Sequence, residues 1–201
     1  MRNPRFMGLI VILALAAMHV GPASAQQTPP NMQELMKAMG QMMSPGTNAS
    51  ALVDFRELKA LLPASLEGMK RTNASGEKSG ALGMAVAFAE GTYEADSGGR
   101  VEIKITDLAG TGSALGLARG WTITEIDRES DTGYERTTTI GGHKAYEKYD
   151  GEQKRGEVQV MVKEHFMVEI SGSDVSMETM KEALGKIDLD QLAELKPAVA
   201  K

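Results

Sequence analysis

The segment Gly156-Glu157-Val158-Gln159-Val160-Met161-Val162-Lys163-Glu164-His165-Phe166-Met167-Val168-Glu169-Ile170-Ser171 decides the fold. Val158, Val160 and Val162 alternate with Gln159, Met161 and Lys163; Phe166, Val168 and Ile170 then alternate with Met167, Glu169 and Ser171. Successive side chains on a strand point to opposite faces, so each run buries one face and wets the other. The pair predicts a hairpin turning near Glu164-His165. Strands of a parallel sheet, covered on both faces, would read as unbroken apolar runs, so the pattern points to antiparallel pairing.

Working outward, the same period of two recurs upstream. In Leu82 to Ala89 the even positions carry large apolar residues and the odd ones only Gly or Ala. After a turn at Asp96-Ser97-Gly98-Gly99, Val101, Ile103 and Ile105 alternate with Glu102, Lys104 and Thr106. Two more strands, Tyr134 to Ile140 and Lys144 to Tyr149, flank the turn Gly141-Gly142. Helical spacing is found at Ala51 to Leu62, stopped by Pro63, and from about Thr111 to Trp121. It returns from Ser176, where Met177, Met180, Leu184 and Ile187 share a side that Leu189, Leu192 and Leu195 extend before Pro197. These elements predict an α+β domain over residues 50–196, an antiparallel sheet of about six strands covered by helices, with a tail at 197–201.

Ahead of that domain, Arg2 and Arg5 precede the apolar run Phe6 to Val20, followed by Gly21-Pro22 and Ala23-Ser24-Ala25. This is the layout of a signal peptide cleaved after Ala25. Fifteen helical residues reach only about 22 Å, short of the roughly 30 Å hydrocarbon core, and no later run approaches a spanning length. The expectation is a periplasmic or secreted protein with no transmembrane segment after cleavage. Losing the two leader arginines and no acid takes the net charge from −5 to −7. An acidic chain is a poor partner for phosphate backbones, so nucleic-acid binding is set aside. The chain has no cysteine, so stability outside the cytoplasm must come from a packed core.

Residues 26–49 read as a linker and a Met-rich amphipathic helix, in which Met32, Met36, Met39 and Met43 recur at i, i+4, i+7 and i+11. Thioethers on one face suit apolar self-packing, an adaptable docking surface, or cuprous ion. Other chemical motifs are weak. Gly110-Thr111-Gly112 with Gly116 has the wrong spacing for a dinucleotide loop. The acidic run Asp127 to Glu135 lacks the glycine at the sixth position, and the glutamate at the twelfth, of a helix-loop-helix calcium site. Beyond the leader only His143 and His165 remain, too few for a histidine-based zinc site, and no G-x-S-x-G elbow nominates a serine nucleophile. No cofactor is expected.

Leu62-Pro63 with Leu66, Gly68 and Arg71, then Gly80 and Gly83, Ile105-Thr106-Asp107-Leu108, and Gly133-Tyr134-Glu135-Arg136 leading to Lys144-Ala145-Tyr146-Glu147-Lys148-Tyr149 resemble a family of exported bacterial proteins of uncharacterised function. More remotely, the order of elements resembles the PsbP-like α/β/α sandwich. That resemblance implies a non-enzymatic accessory or binding module. The sequence reading is therefore an exported binding or accessory protein of the cell envelope, partnered by an envelope protein or a small ligand. Met32, Met36, Met39, Met43, Trp121 and Tyr134 are the expected contact residues. The alternative is a periplasmic copper-binding protein using the four methionines.

Overall fold

The computed structural model describes residues 52–81, 84–111 and 120–198. The expected leader, the four methionines of the expected N-terminal helix and most of the glycine-rich connection lie outside the described residues. Nine strands form one antiparallel sheet: β1 (Ser65–Leu66), β2 (Met69–Ala81), β3 (Met84–Ala95), β4 (Arg100–Asp107), β5 (Asp127–Glu129), β6 (Gly133–Ile140), β7 (His143–Asp150), β8 (Arg155–Val162) and β9 (Phe166–Ser173). Their spatial order is β1-β2-β3-β4-β9-β8-β7-β6-β5. The chain lays down β1 to β4 as a meander, crosses to the far edge, and returns through β5 to β9. The closing pair, β4 with β9, joins the two meanders at the centre of the sheet.

The pleat then separates two faces. Val101, Ile103 and Ile105 of β4, Val158, Val160 and Val162 of β8, and Phe166, Val168 and Ile170 of β9 are completely buried on one of them. Three short helices cover that face: α1 (Phe55–Ala60), α3 (Met177–Gly185) and α4 (Leu189–Glu194). Each begins where a side chain caps its first turn. Asp54 accepts from the Arg56 amide at 2.8 Å, Ser176 from Thr179 at 3.1 Å, and Asp188 from Gln191 at 2.8 Å. The remaining helix, α2 (Gly120–Ile123), lies against β7 on the opposite face.

Glycine sets how closely the helices approach. Gly156 of β8 and Gly172 of β9 are cross-strand partners and together open a notch for Met180 of α3. A Cβ at Gly156 would stand 2.6 Å from Met180 Cε, and one at Gly172 2.6 Å from its Sδ. Gly76 on β2 makes similar room for the ring of Phe55, whose Cδ2 would lie 2.8 Å from an added Cβ.

This architecture corrects the expected fold. The protein is β-rich, with nine strands and four short helices among the described residues, and not an α+β domain built on about six strands. Three strands escaped the sequence reading for identifiable reasons. β2, MKRTNASGEKSGA, has no apolar alternation because from Arg71 onward it is an edge, with mostly exposed side chains. β1 and β5 have two and three residues, too few to show a period. The C-terminal helix is two helices, interrupted at Lys186 to Asp188, and the first helix is confined to Phe55–Ala60. The expected tail begins in contact with the domain, since the Ala198 amide donates to Leu52 O at 2.9 Å.

Candidate functional site

Buried ionisable groups are the natural place to look for chemistry, and two carboxylates lie under the helices. Asp107, at the end of β4, is completely buried; its Oδ2 accepts from the Val53 amide at 2.8 Å and its Oδ1 from Ala109 at 2.9 Å. It ties the segment before α1 to the sheet. Glu147 of β7, with 2% of its side chain exposed, lies between three donors. Its Oε2 accepts from Arg136 Nη2 at 2.8 Å, Arg136 Nε at 3.1 Å and the Tyr134 hydroxyl at 3.4 Å, while Oε1 pairs with Lys181 Nζ at 3.0 Å. Burial pushes the Glu147 carboxyl up, but the hydrogen bonds and charges of Lys181 and Arg136 outweigh it and hold the group below the ordinary carboxylate range. Burial, with the Glu147 charge, raises Tyr134 above the usual phenol value. Both carboxylates are fully engaged in joining elements. No buried side-chain nitrogen or oxygen among the described residues lacks a partner.

On the open face, Trp121 of α2 stacks on Tyr146 of β7 with centroids 6.0 Å apart, and its Nε1 donates to Gln159 Oε1 at 2.7 Å. Lys144 Nζ donates to Thr122 O at 2.5 Å, a second tie between α2 and the sheet. Burial, followed by its hydrogen bond to Glu135, pushes the Tyr146 hydroxyl up to about 12. Thus Trp121 anchors the crossing between the two meanders. Tyr134 points to the other face, its ring 6.5 Å from that of Tyr149 and beneath the Arg136 guanidinium at 4.7 Å. The structure does not bring these two expected contact residues together, and Met32, Met36, Met39 and Met43 lie outside the described residues.

The register lays charges across the open face in rows. Arg128, Glu135, Lys148, Glu157, Ser171 and Glu102 are successive cross-strand partners from β5 to β4. The neighbouring row runs Gly133, Asp150, Arg155, Ser173 and Arg100. At the centre, burial raises the Glu169 carboxyl, Glu157 adds to the rise, and Lys104 opposes it. Toward β5 to β8 the two rows open into a cleft of about 520 Å³, closed at one end by the turns before β6 and after β7. These turns are stitched together by the Gly151 amide donating to Thr132 O at 2.7 Å.

A hollow of about 640 Å³ runs along the β6 edge, but its cations already have partners: Arg136 holds Glu147 and Lys144 holds Thr122 O. The cleft differs in containing cations with no partner. Among the described residues, neither the Lys148 nor the Arg155 side chain forms a hydrogen bond or ion pair, because the acids opposite them are engaged elsewhere. Sequence reasoning missed Glu147, Lys148 and Arg155. The signal for Glu147 was a charge in phase with Ala145 on an otherwise buried side of a strand; Lys148 and Arg155 gave none, since exposed cations on a strand are ordinary.

Among the described residues, no helix is long and apolar enough to cross a membrane, and no group of three or more His, Asp or Glu side chains is placed to hold a metal ion. No protein-family model matches the chain, and no curated protein or solved structure matches it either.

Proposed function

We propose that this is an exported, non-enzymatic binding or accessory protein of the cell envelope that takes up a small ligand in the cleft between the β5–β6 and β7–β8 ends of the open sheet face. The observation that carries the reading is the contrast between the two faces. The buried acids Asp107 and Glu147 serve internal joints, whereas the cleft presents unengaged side-chain donors to solvent. A volume of about 520 Å³ falls within the 300 to 1,000 Å³ range of small-molecule sites. The leader at residues 1–25 supports export.

Hydrogen exchange tests the proposal. Adding the small-molecule fraction of an envelope extract should slow exchange of the amides in residues 130–134 and 148–155, while β2 and β3 remain unchanged. Unaltered exchange in those two stretches would refute the assignment of the cleft.

A further inference from the structure

The cleft's charge arrangement identifies a ligand class, an inference that rests on reading it as the binding site. Lys148 on β7 lies directly opposite Glu135 and Glu157, and Arg155 on β8 directly opposite Asp150. Ordinary cross-strand ion pairs would be expected at all three positions. None forms. Arg128 Nη1 takes Glu135 Oε2 at 3.2 Å. The Gln159 amide donates to Glu157 Oε1, and the same Gln159 accepts from Trp121. Asp150 Oδ1 accepts the amides of Glu152 at 3.0 Å and Gln153 at 2.9 Å, which shapes the turn after β7. Each acid directly opposite Lys148 or Arg155 is therefore held by another donor.

Because Lys148 pairs with Glu157, Arg155 is its diagonal neighbour on the same face, a relation that separates Cβ atoms by roughly 7 Å. One tetrahedral or planar oxyanion fits between an ammonium and a guanidinium at that separation, since each can donate to a different oxygen. We propose that the cleft binds a small molecule through an acid group, phosphate or carboxylate, gripped between Lys148 and Arg155. The polar groups of Ser130, Thr132 and Gln153 at the cleft wall suit a ligand whose remainder carries hydroxyls or amides. The flanking carboxylates Glu135 and Glu157 repel a second acid group and so limit the site to one.

The test is calorimetric titration of the full chain at low ionic strength with inorganic phosphate, with the monocarboxylate lactate, and with glucose as a neutral probe. Binding of phosphate or lactate that weakens at least tenfold in the double variant Lys148→Gln/Arg155→Gln, and weakens with added salt, supports the proposal. Whichever anion binds identifies the acid group. Both side chains are exposed and unpaired, so the variant should keep the wild-type unfolding midpoint, a check made in parallel. Failure of both anions to bind, or equal binding by wild type and variant, overturns the oxyanion assignment. If extract still protects residues 130–134 and 148–155 in the variant, the cleft binds a ligand by other contacts and only the present inference falls. Loss of protection in wild type would remove both readings.

Discussion

Introducing one methyl group at Gly172 should measure how tightly the helix layer is seated on the sheet. Gly172 has an ordinary strand conformation, so an alanine there meets no backbone penalty and recovers about 0.5 to 1 kcal/mol of chain entropy and strand preference. The obstacle is steric. The new carbon would lie 2.5 Å from Val175 Cγ2, 2.6 Å from Met180 Sδ and 2.9 Å from Met180 Cγ, where comfortable contacts are about 3.5 to 4.0 Å. Methionine is the most adaptable of apolar side chains, but Met180 is completely buried and occupies the groove formed with Gly156, against Tyr149. Moving it by about 1 Å forces α3 outward, an overpacking cost of about 1 to 3 kcal/mol. The net expectation for Gly172→Ala is a loss of about 1.5 kcal/mol, or a fall of about 0.8 M in the urea midpoint at a slope near 2 kcal/mol/M. Circular dichroism through a urea titration is the assay. The decisive comparison is the cycle with Met180→Ala, which alone should cost about 2 to 5 kcal/mol by leaving a cavity. In the double variant the added methyl fills part of that cavity, so the two losses should fall short of additivity by at least about 1 kcal/mol. An unshifted midpoint for Gly172→Ala, or strict additivity, would refute the notch argument.

Replacing Glu147 by Gln should destabilise the fold by about 2 kcal/mol, less than for a fully buried pair because Arg136 and Lys181 are partly exposed. The folded-state pKa of Glu147 lies below its unfolded value, so its stabilisation is complete above the ordinary carboxylate range and disappears as pH falls through the folded value; Glu147→Gln should flatten the acid limb of the stability curve. Asp107→Asn keeps one carbonyl acceptor for two backbone donors, with an expected loss of about 1 to 3 kcal/mol, and faster exchange of the Val53 or Ala109 amide reports which bond breaks. Lys163 and Glu164 both adopt left-handed backbone, with φ of 46° and 62°, so Lys163→Asn should raise the unfolding midpoint by relieving about 0.5 to 1 kcal/mol of turn strain.

How far the sequence could be read depended on whether a segment answered to water or to a neighbour. Val158 to Ile170 announced its hairpin because each alternate residue faces solvent or core, and that choice is written residue by residue. The same rule concealed β2, whose edge position leaves most of its side chains wet, so Ser75, Glu77 and Ser79 look like a loop. At the candidate site, Glu147 could be noticed as a charge in phase with the buried positions of its strand. Lys148 and Arg155 could not. Their distinction is that Arg128, Gln159 and the turn after β7 draw away their acidic partners, and Arg128, on another strand, is remote in sequence from both cations.

By itself, the sequence determined the antiparallel character of the central strands and the need for a core without disulfides, because these follow from local periodicity and composition. Tertiary structure alone decided that β9 closes against β4, that Met180 enters the groove between two glycines, and that two cations share a cleft with no acid attached. Those outcomes depend on register, which is a global property: each strand's cross-strand neighbours are fixed only when the whole sheet has assembled.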